Sequence, residues 1–273
     1  MSKTIFITGA SRGFGKIWAE AFLKRGDKVI ATARNTKDLD NLKQQYGDAV
    51  LPLTLDVNDR KAAFEAIQKA KTHFGTIDVL INNAGYGLIG TIEETGEQEA
   101  RDQVETNIFG LLWVTQAVLP VMREQGHGHI IQVSSVLGIA TLPVLGVYNA
   151  TKFAVEAIGE TLAQEVKDFG IHVTLLEPNG FATDWAGASA IHAKPIAAYD
   201  AVKAAFEQGM SDADSFGIPE ATAEAVLKLI DAKQPPLRLF LGKVALPWVK
   251  QVYADRLQTW EAWSETSAKA HGK

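Results

Sequence analysis

The chain has 273 residues, of which 47% are hydrophobic and 22% charged, with a formal net charge of -5 and a pI near 5.7. This composition builds a sizeable core and excludes disorder, and its mild acidity gives no positive field for nucleic acid or anionic lipid. The absence of cysteine excludes thiolate catalysis, disulfides and cysteine metal sites, and the six histidines show no metal-ligand spacing, so no metal is expected.

Residues 4–8 (TIFIT) are an apolar run rich in β-formers. It lies so close to Met1 that no signal peptide is expected, and no uninterrupted apolar run reaches the roughly 18 residues of a membrane span. A cytoplasmic protein without membrane or nucleic-acid partners is the expectation. GASRGFG follows over 9–15, then Ile17, Ala21 and Phe22 at helical spacing, which reads as strand, glycine turn and helix. Gly9, Gly13 and Gly15 permit positive φ and leave a surface free of side chains, so a phosphate can approach the N–H groups at the positive helix end. A P-loop is excluded, because Ala10 stands at its first glycine and Ile17 at its magnesium-binding hydroxyl.

Residues 27–33 read as a second strand, ending where a dinucleotide site reads the adenosine ribose. An acid there would bond the 2′-hydroxyl and repel a 2′-phosphate, but Ala33 holds the position, Arg34 follows, and Arg12 lies in the glycine turn. Two arginines and no carboxylate favour NADP(H) over NAD(H); the alternative is solvated surface charge. A short polar helix over 38–46 and a strand over 49–55 come next, the strand ending at Asp56-Val57. Asp56 is a strand-end contact, a cap for the helix over 60–74, or both. A fourth strand over 77–81 closes on Asn82-Asn83-Ala84-Gly85.

A long helix over 96–122 sets Val104, Ile108, Leu111, Leu112 and Thr115 on a buried stripe together with Asn107. A buried amide must find partners or cost about 1 to 3 kcal/mol, and bonding to its own helix is the alternative to a functional place. A fifth strand over 129–133 runs into Ser135, whose hydroxyl lies at the carboxyl end of a strand, where open α/β sheets hold ligands. If a helix begins near Gly146, Tyr148 and Lys152 leave it on one face, as a reactive pair or a solvated one. Unit charges about 4 Å apart at an effective dielectric of about 20 interact by roughly 4 kcal/mol, enough to draw a phenol down by about three pKa units. Tyr148 would then exchange a proton near neutrality. This helix stops at Phe169-Gly170, and a sixth strand over 171–177 leads into PNGFAT over 178–183. Residues 185–216 lack strong periodicity and read as a mobile lid. A helix over 219–232, a strand over 237–241 and a tail over 246–263 complete the chain, Trp248, Trp260 and Trp263 suiting core packing or a subunit contact.

The alternation of strands and helices gives an α/β fold, a three-layer doubly wound parallel sheet. One Rossmann-like domain spans 1–243, including a lid at about 185–217, and a C-terminal helical extension spans 244–273. TGASRGFG, NNAG, Ser135 with Tyr148-x-x-x-Lys152, and PNGFAT, in that order over residues 4–243, resemble the short-chain dehydrogenase/reductase family. The resemblance implies cofactor contacts from Gly9, Ser11, Arg12, Gly13, Phe14 and Gly15, from Arg34, from Asp56 and Val57 at the adenine, and from Asn83, Ala84 and Gly85. Tyr148 and Lys152 would meet the nicotinamide ribose, and Pro178, Phe181 and Thr183 the carboxamide. Asn179 departs from the family pattern, which has glycine there; asparagine tolerates positive φ better than most residues.

The implied catalytic set is Asn107 holding a proton-supplying water, Ser135 bonding the substrate oxygen, Tyr148 as general acid or base, and Lys152 biasing the phenol toward the phenolate. The implied reaction is NADP(H)-dependent interconversion of a carbonyl and an alcohol. Tyr86, Leu88, Leu137, Leu142, Leu145 and Trp185 suggest a mostly apolar pocket for a ketone or aldehyde. A homodimer or homotetramer through the two long helices is implied as well. A sensor or scaffold that binds NADP(H) without turnover is the alternative, although binding alone requires neither Ser135 nor Tyr148.

Overall fold

The computed structural model describes residues 2–272 apart from 184, 186, 188 and 212–215, so part of the expected lid lies outside the described residues. In strand β1 (Thr4–Ile7), Ile5 and Ile7 join one core and Phe6 the other, and all three are fully buried. A strand apolar on both sides needs cover on both faces. The same split recurs in β2 (Lys28–Ala33), with Val29 and Ala31 against Ile30, and in β4 (Val79–Asn82), with Val79 and Ile81 against Leu80. With β3 (Val50–Thr54), β6 (Gly128–Val133), β7 (Ile171–Pro178) and β9 (Arg238–Leu241), these strands form one parallel sheet in the order β3-β2-β1-β4-β6-β7-β9. The order reverses between β1 and β4, and a crevice at their carboxyl ends is where such sheets take ligands.

Helices α1 (Gly13–Arg25) and α8 (Thr222–Asp231) cover one face with Trp18, Phe22, Val226 and Ile230. On the other face lie α3 (Arg60–Phe74), α5 (Leu111–Gln125) and α6 (Gly146–Val166), contributing Ile67, Val118, Met122 and Leu162. The short helix α2 (Asp40–Tyr46) precedes β3. The doubly wound sheet expected from the sequence is therefore the observed one.

Four local expectations change. Asp59, not Asp56, caps α3, accepting from the Ala62 N–H at 3.0 Å, while Asp56 accepts from the Asn58 N–H. The long helix is α4 (Glu97–Val104) joined to α5 through a π-helical turn, Glu105–Gly110. This wide turn breaks the 3.6-residue period, so Val104 and Ile108 are only half-buried while Gln103, Asn107 and Gly110 face inward. By length and hydropathy alone the run Glu97–Gln125 suffices to cross a bilayer, yet its apolar face packs on the sheet.

The segment 185–216, expected to be an aperiodic lid, contains helix α7 (Asp200–Gly209) and strand β8 (Ile191–His192), which pairs in parallel with β5 (Leu88–Ile89). Glu94 holds it from below, accepting from the Ile196 N–H at 2.8 Å and the Lys203 ammonium at 2.7 Å. These bonds lower its pKa to about 2. In the tail, helix α9 (Ala245–Ala262) starts inside the core cluster around Tyr148, with Ala245, Trp248 and Val249. It continues outward into α10 (Ser264–Lys269), leaving Trp260 and Trp263 exposed, so among the three tryptophans core packing holds for Trp248.

Candidate active site

The glycine turn is a cradle. Gly9 (φ 68) and Gly13 (φ 54) take left-handed conformations, and Gly13 has open space where a Cβ would stand. Gly15 admits no side chain, since a Cβ would lie 2.3 Å from the Gly9 carbonyl oxygen and 2.6 Å from Asn83 Nδ2. Helix α1 begins with no side-chain cap and no acid in its first turn. An uncapped positive end with a bare approach fits the pyrophosphate of a nicotinamide dinucleotide.

NNAG positions this cradle. Asn83 Nδ2 donates to the Thr8 and Gly9 carbonyls at 3.0 Å each, and the Asn83 and Ala84 N–H groups donate to Thr8 Oγ1 at 2.9 and 3.0 Å. Asn83 thus fixes the turn through its side chain, with Gly85 exposed beside it. Phe14 stacks on Trp18 and meets Phe181 edge-on at 5.2 Å, tying the turn, half-buried Ser11 included, to PNGFAT. Arg12 is exposed at the N-terminus of α1 and Arg34 directly after β2, Asp56 is exposed beyond β3, and Val57 is buried where a Cβ on Gly110 would meet its side chain at 2.6 Å.

Ser135, Tyr148 and Lys152 converge. Helix α6 starts at Gly146, as expected, and Tyr148 and Lys152 on it are both buried. The Ser135 hydroxyl accepts from the Leu137 N–H at 3.1 Å, donates to the Pro178 carbonyl at 3.4 Å, and acts on the Tyr148 phenol. Burial raises the Tyr148 pKa far above 10, and the Ser135 bond opposes this only in part. The expected draw toward phenolate is absent here because the Lys152 ammonium donates to the Val133 carbonyl at 2.8 Å and lies 5.6 Å from the Tyr148 ring centroid. Burial lowers Lys152 to about 8, against the pull of the Glu156 charge.

Asn107 sits in the π turn. Its Oδ1 accepts from the Tyr86 N–H at 3.1 Å, and its Nδ2 donates to the Tyr86 carbonyl at 3.0 Å and to Thr151 Oγ1 at 3.2 Å. Thr151 in turn donates to the Tyr148 carbonyl at 2.8 Å. These partners lie on other elements, which rules out an amide bonded only within its own helix.

PNGFAT keeps its turn without positive φ at Asn179. Among the described residues Val144 is the one non-glycine with positive φ (68), and its carbonyl is held by the Gly90 N–H beside the start of α6. Asn179 instead packs over Gly242, where a Cβ would meet Asn179 Oδ1 at 1.7 Å. Thr183 N–H donates to the Phe181 carbonyl at 2.7 Å.

Trp185 crosses Tyr148 edge-on at 4.8 Å and fills the space where a Cβ on Gly87 would stand. Leu137, Leu142, Leu145, Phe206, Phe240 and Trp248 complete this apolar cluster, while Leu88 is buried in β5. Leu142 and Phe206 also line a cavity of about 530 Å³ with Pro143, Val202 and Met210. Sequence reading overlooked Thr8, Thr151 and Phe206. Thr8 alone carried a local signal, a hydroxyl directly before the glycine turn.

The short chain dehydrogenase family model matches residues 3–194. Oxidoreductase BOA17 of Botryotinia fuckeliana is 42% identical over 270 residues, covering 98% of each chain. A short-chain dehydrogenase from Streptomyces avermitilis superposes with a TM-score of 0.91 at 36% identity over 98% of each chain. An alcohol dehydrogenase from the archaeon Thermococcus sibiricus, complexed with 5-hydroxy-NADP, gives a TM-score of 0.75 at 27% identity, over 90% of this chain and 98% of that one.

Proposed function

Since this chain belongs to the short-chain dehydrogenase family, we propose that it is an NADP(H)-dependent oxidoreductase interconverting a mostly apolar carbonyl compound and its alcohol. The observation that carries this reading is the buried convergence of Ser135, Tyr148 and Lys152 at the strand ends that also hold the glycine turn.

The first turn of α1 would hold the pyrophosphate, Arg12 and Arg34 the ribose 2′-phosphate, Asp56 and Val57 the adenine, and Lys152, Phe181 and Thr183 the nicotinamide end. Exposed Arg12 at the start of α1 and Arg34 after β2, Ala33 in place of an acid, and the 5-hydroxy-NADP complex of the Thermococcus sibiricus enzyme support NADP(H). When bound, the nicotinamide supplies or accepts the hydride. In reduction, the Ser135 hydroxyl donates to the carbonyl oxygen as negative charge grows there, and Tyr148 delivers the proton. Burial holds the phenol protonated, the state that reduction needs. The Lys152 ammonium, charged below about pH 8 and held by the Val133 carbonyl, would bond the nicotinamide ribose, and Asn107 anchors the water that resupplies the proton. The Leu142–Phe206 cavity supports an apolar substrate. Exposed Phe109 and Phe153 on the two long helices supply apolar surface for a homo-oligomer.

The test is loss of NADPH absorbance against a panel of apolar ketones and aldehydes. Turnover of several members is expected. Silence across the panel with tight NADPH binding would leave the sensor reading in its place.

A further inference from the structure

One turn along α6 from Lys152, Glu156 is 6% exposed, and Glu177, which precedes Pro178 on β7, is wholly buried. Arg238 of β9 faces both: its Nε lies 3.0 Å from Glu156 Oε2 and 3.5 Å from Glu177 Oε1, and its Nη2 lies 2.6 Å from Glu160 Oε2. Three carboxyl groups thus meet one guanidinium. Lys152 also feels the Glu156 charge, but its ammonium is directed at the Val133 carbonyl. Both Glu177 oxygens and Glu156 Oε1 are buried without a donor in hydrogen-bonding geometry. A carboxylate so placed neutralises, and two carboxyl groups in one site do so by holding a proton between them. Gly138 leaves room for the pair, since a Cβ there would stand 2.8 Å from both Glu156 Cγ and Ser134 Oγ.

We infer that Glu156 and Glu177 share one proton and act as positioning residues for the catalytic groups. Glu156 lies one turn behind Lys152 on α6, and Glu177 directly precedes Pro178 on β7, whose carbonyl accepts the Ser135 hydroxyl. Burial, with the Glu156 charge, lifts Glu177 from 4.5 to about 8, and burial raises Glu156 as well. The folded chain keeps a proton that the unfolded chain releases, so this pair lowers stability as pH rises between about 4.5 and 8. Beyond that range two buried negative charges share Arg238, and the register of Ser135 loosens.

The kinetic arm of the test rests on the oxidoreductase reading; the other two arms do not. Glu177→Gln keeps shape and a donor without a titrating proton. Its melting temperature relative to the native chain should climb from about pH 4.5 to 8 and then level. The infrared stretch of a buried protonated carboxyl should be present in the native chain near neutrality and lost in E177Q. In turnover, Glu177→Ala should lose at least about tenfold in kcat with NADPH affinity unchanged, and E177Q should restore kcat near pH 6.5 and extend activity to higher pH. Parallel melting curves with no protonated-carboxyl band overturn proton sharing. A titrating pair with undiminished kcat in E177A overturns the positioning role. Absence of turnover in every variant counts against the oxidoreductase reading and leaves the pair to be judged by melting and infrared.

Discussion

Replacing Lys152 by Met should stabilise the fold at neutral pH while ending turnover. Lys152 is 8% exposed, and burial draws its pKa from 10.5 to about 8. At about 1.4 kcal/mol per pH unit, holding it charged below pH 8 costs about 3 kcal/mol relative to the unfolded chain. Methionine removes that charge at similar volume but leaves the Val133 carbonyl without its donor, a loss of about 2 kcal/mol. The net gain is about 1 kcal/mol near pH 6.5, or roughly 2 °C in melting temperature for a chain of this size. The sign then reverses. A lysine whose folded pKa lies below its unfolded value binds fewer protons when folded, so the native chain regains stability between about pH 8 and 10.5. Denaturant unfolding of both chains, followed by tryptophan fluorescence, should give curves that cross in that window. A K152M chain less stable by more than about 1 kcal/mol near pH 6.5, with a gap that pH does not alter, would refute the reasoning.

Arg34→Ala should weaken NADPH binding by about tenfold or more and leave NADH unaffected, as the loss of one charge-assisted bond implies; equal weakening in fluorescence titrations would remove the 2′-phosphate assignment. Gly87→Ala would set a Cβ 2.5 Å from the Trp185 ring and should raise KM several-fold with little change in melting temperature; unaltered KM and tryptophan emission would separate Trp185 from the substrate site. Thr8→Val deprives the Asn83 and Ala84 N–H groups of their acceptor and should destabilise the chain by about 2 kcal/mol in urea unfolding while weakening cofactor binding, and a neutral result would mean that the cradle is held elsewhere.

The sheet was legible because β1, β2 and β4 are apolar runs that alternate between two cores, and the start of α6 was legible because glycine and spacing act locally. Three kinds of feature were not. The π turn at Asn107 depends on close packing of Gly110 against Val57, which no helical period announces. The direction of the Lys152 ammonium depends on a carbonyl 19 residues away, so Coulomb's law applied to Tyr148 and Lys152 alone placed the phenol too low. The acid pair joins Glu156 to Glu177 through Arg238, residues on three elements whose adjacency exists only in the folded sheet. The helix in the lid was missed for a simpler reason. None of its residues is fully buried, and its apolar face, with Val202 and Phe206 one turn apart, lines the Leu142 cavity and not the sheet core.

Steady-state turnover of Tyr148→Phe, measured beside NADPH titration of the same sample, bears most directly on the chemistry assigned to this site. General acid catalysis contributes about a hundredfold or more, so kcat should drop by at least that factor while NADPH affinity stays within about twofold. A kcat within about tenfold of the native value would mean that the proton comes from somewhere other than this phenol.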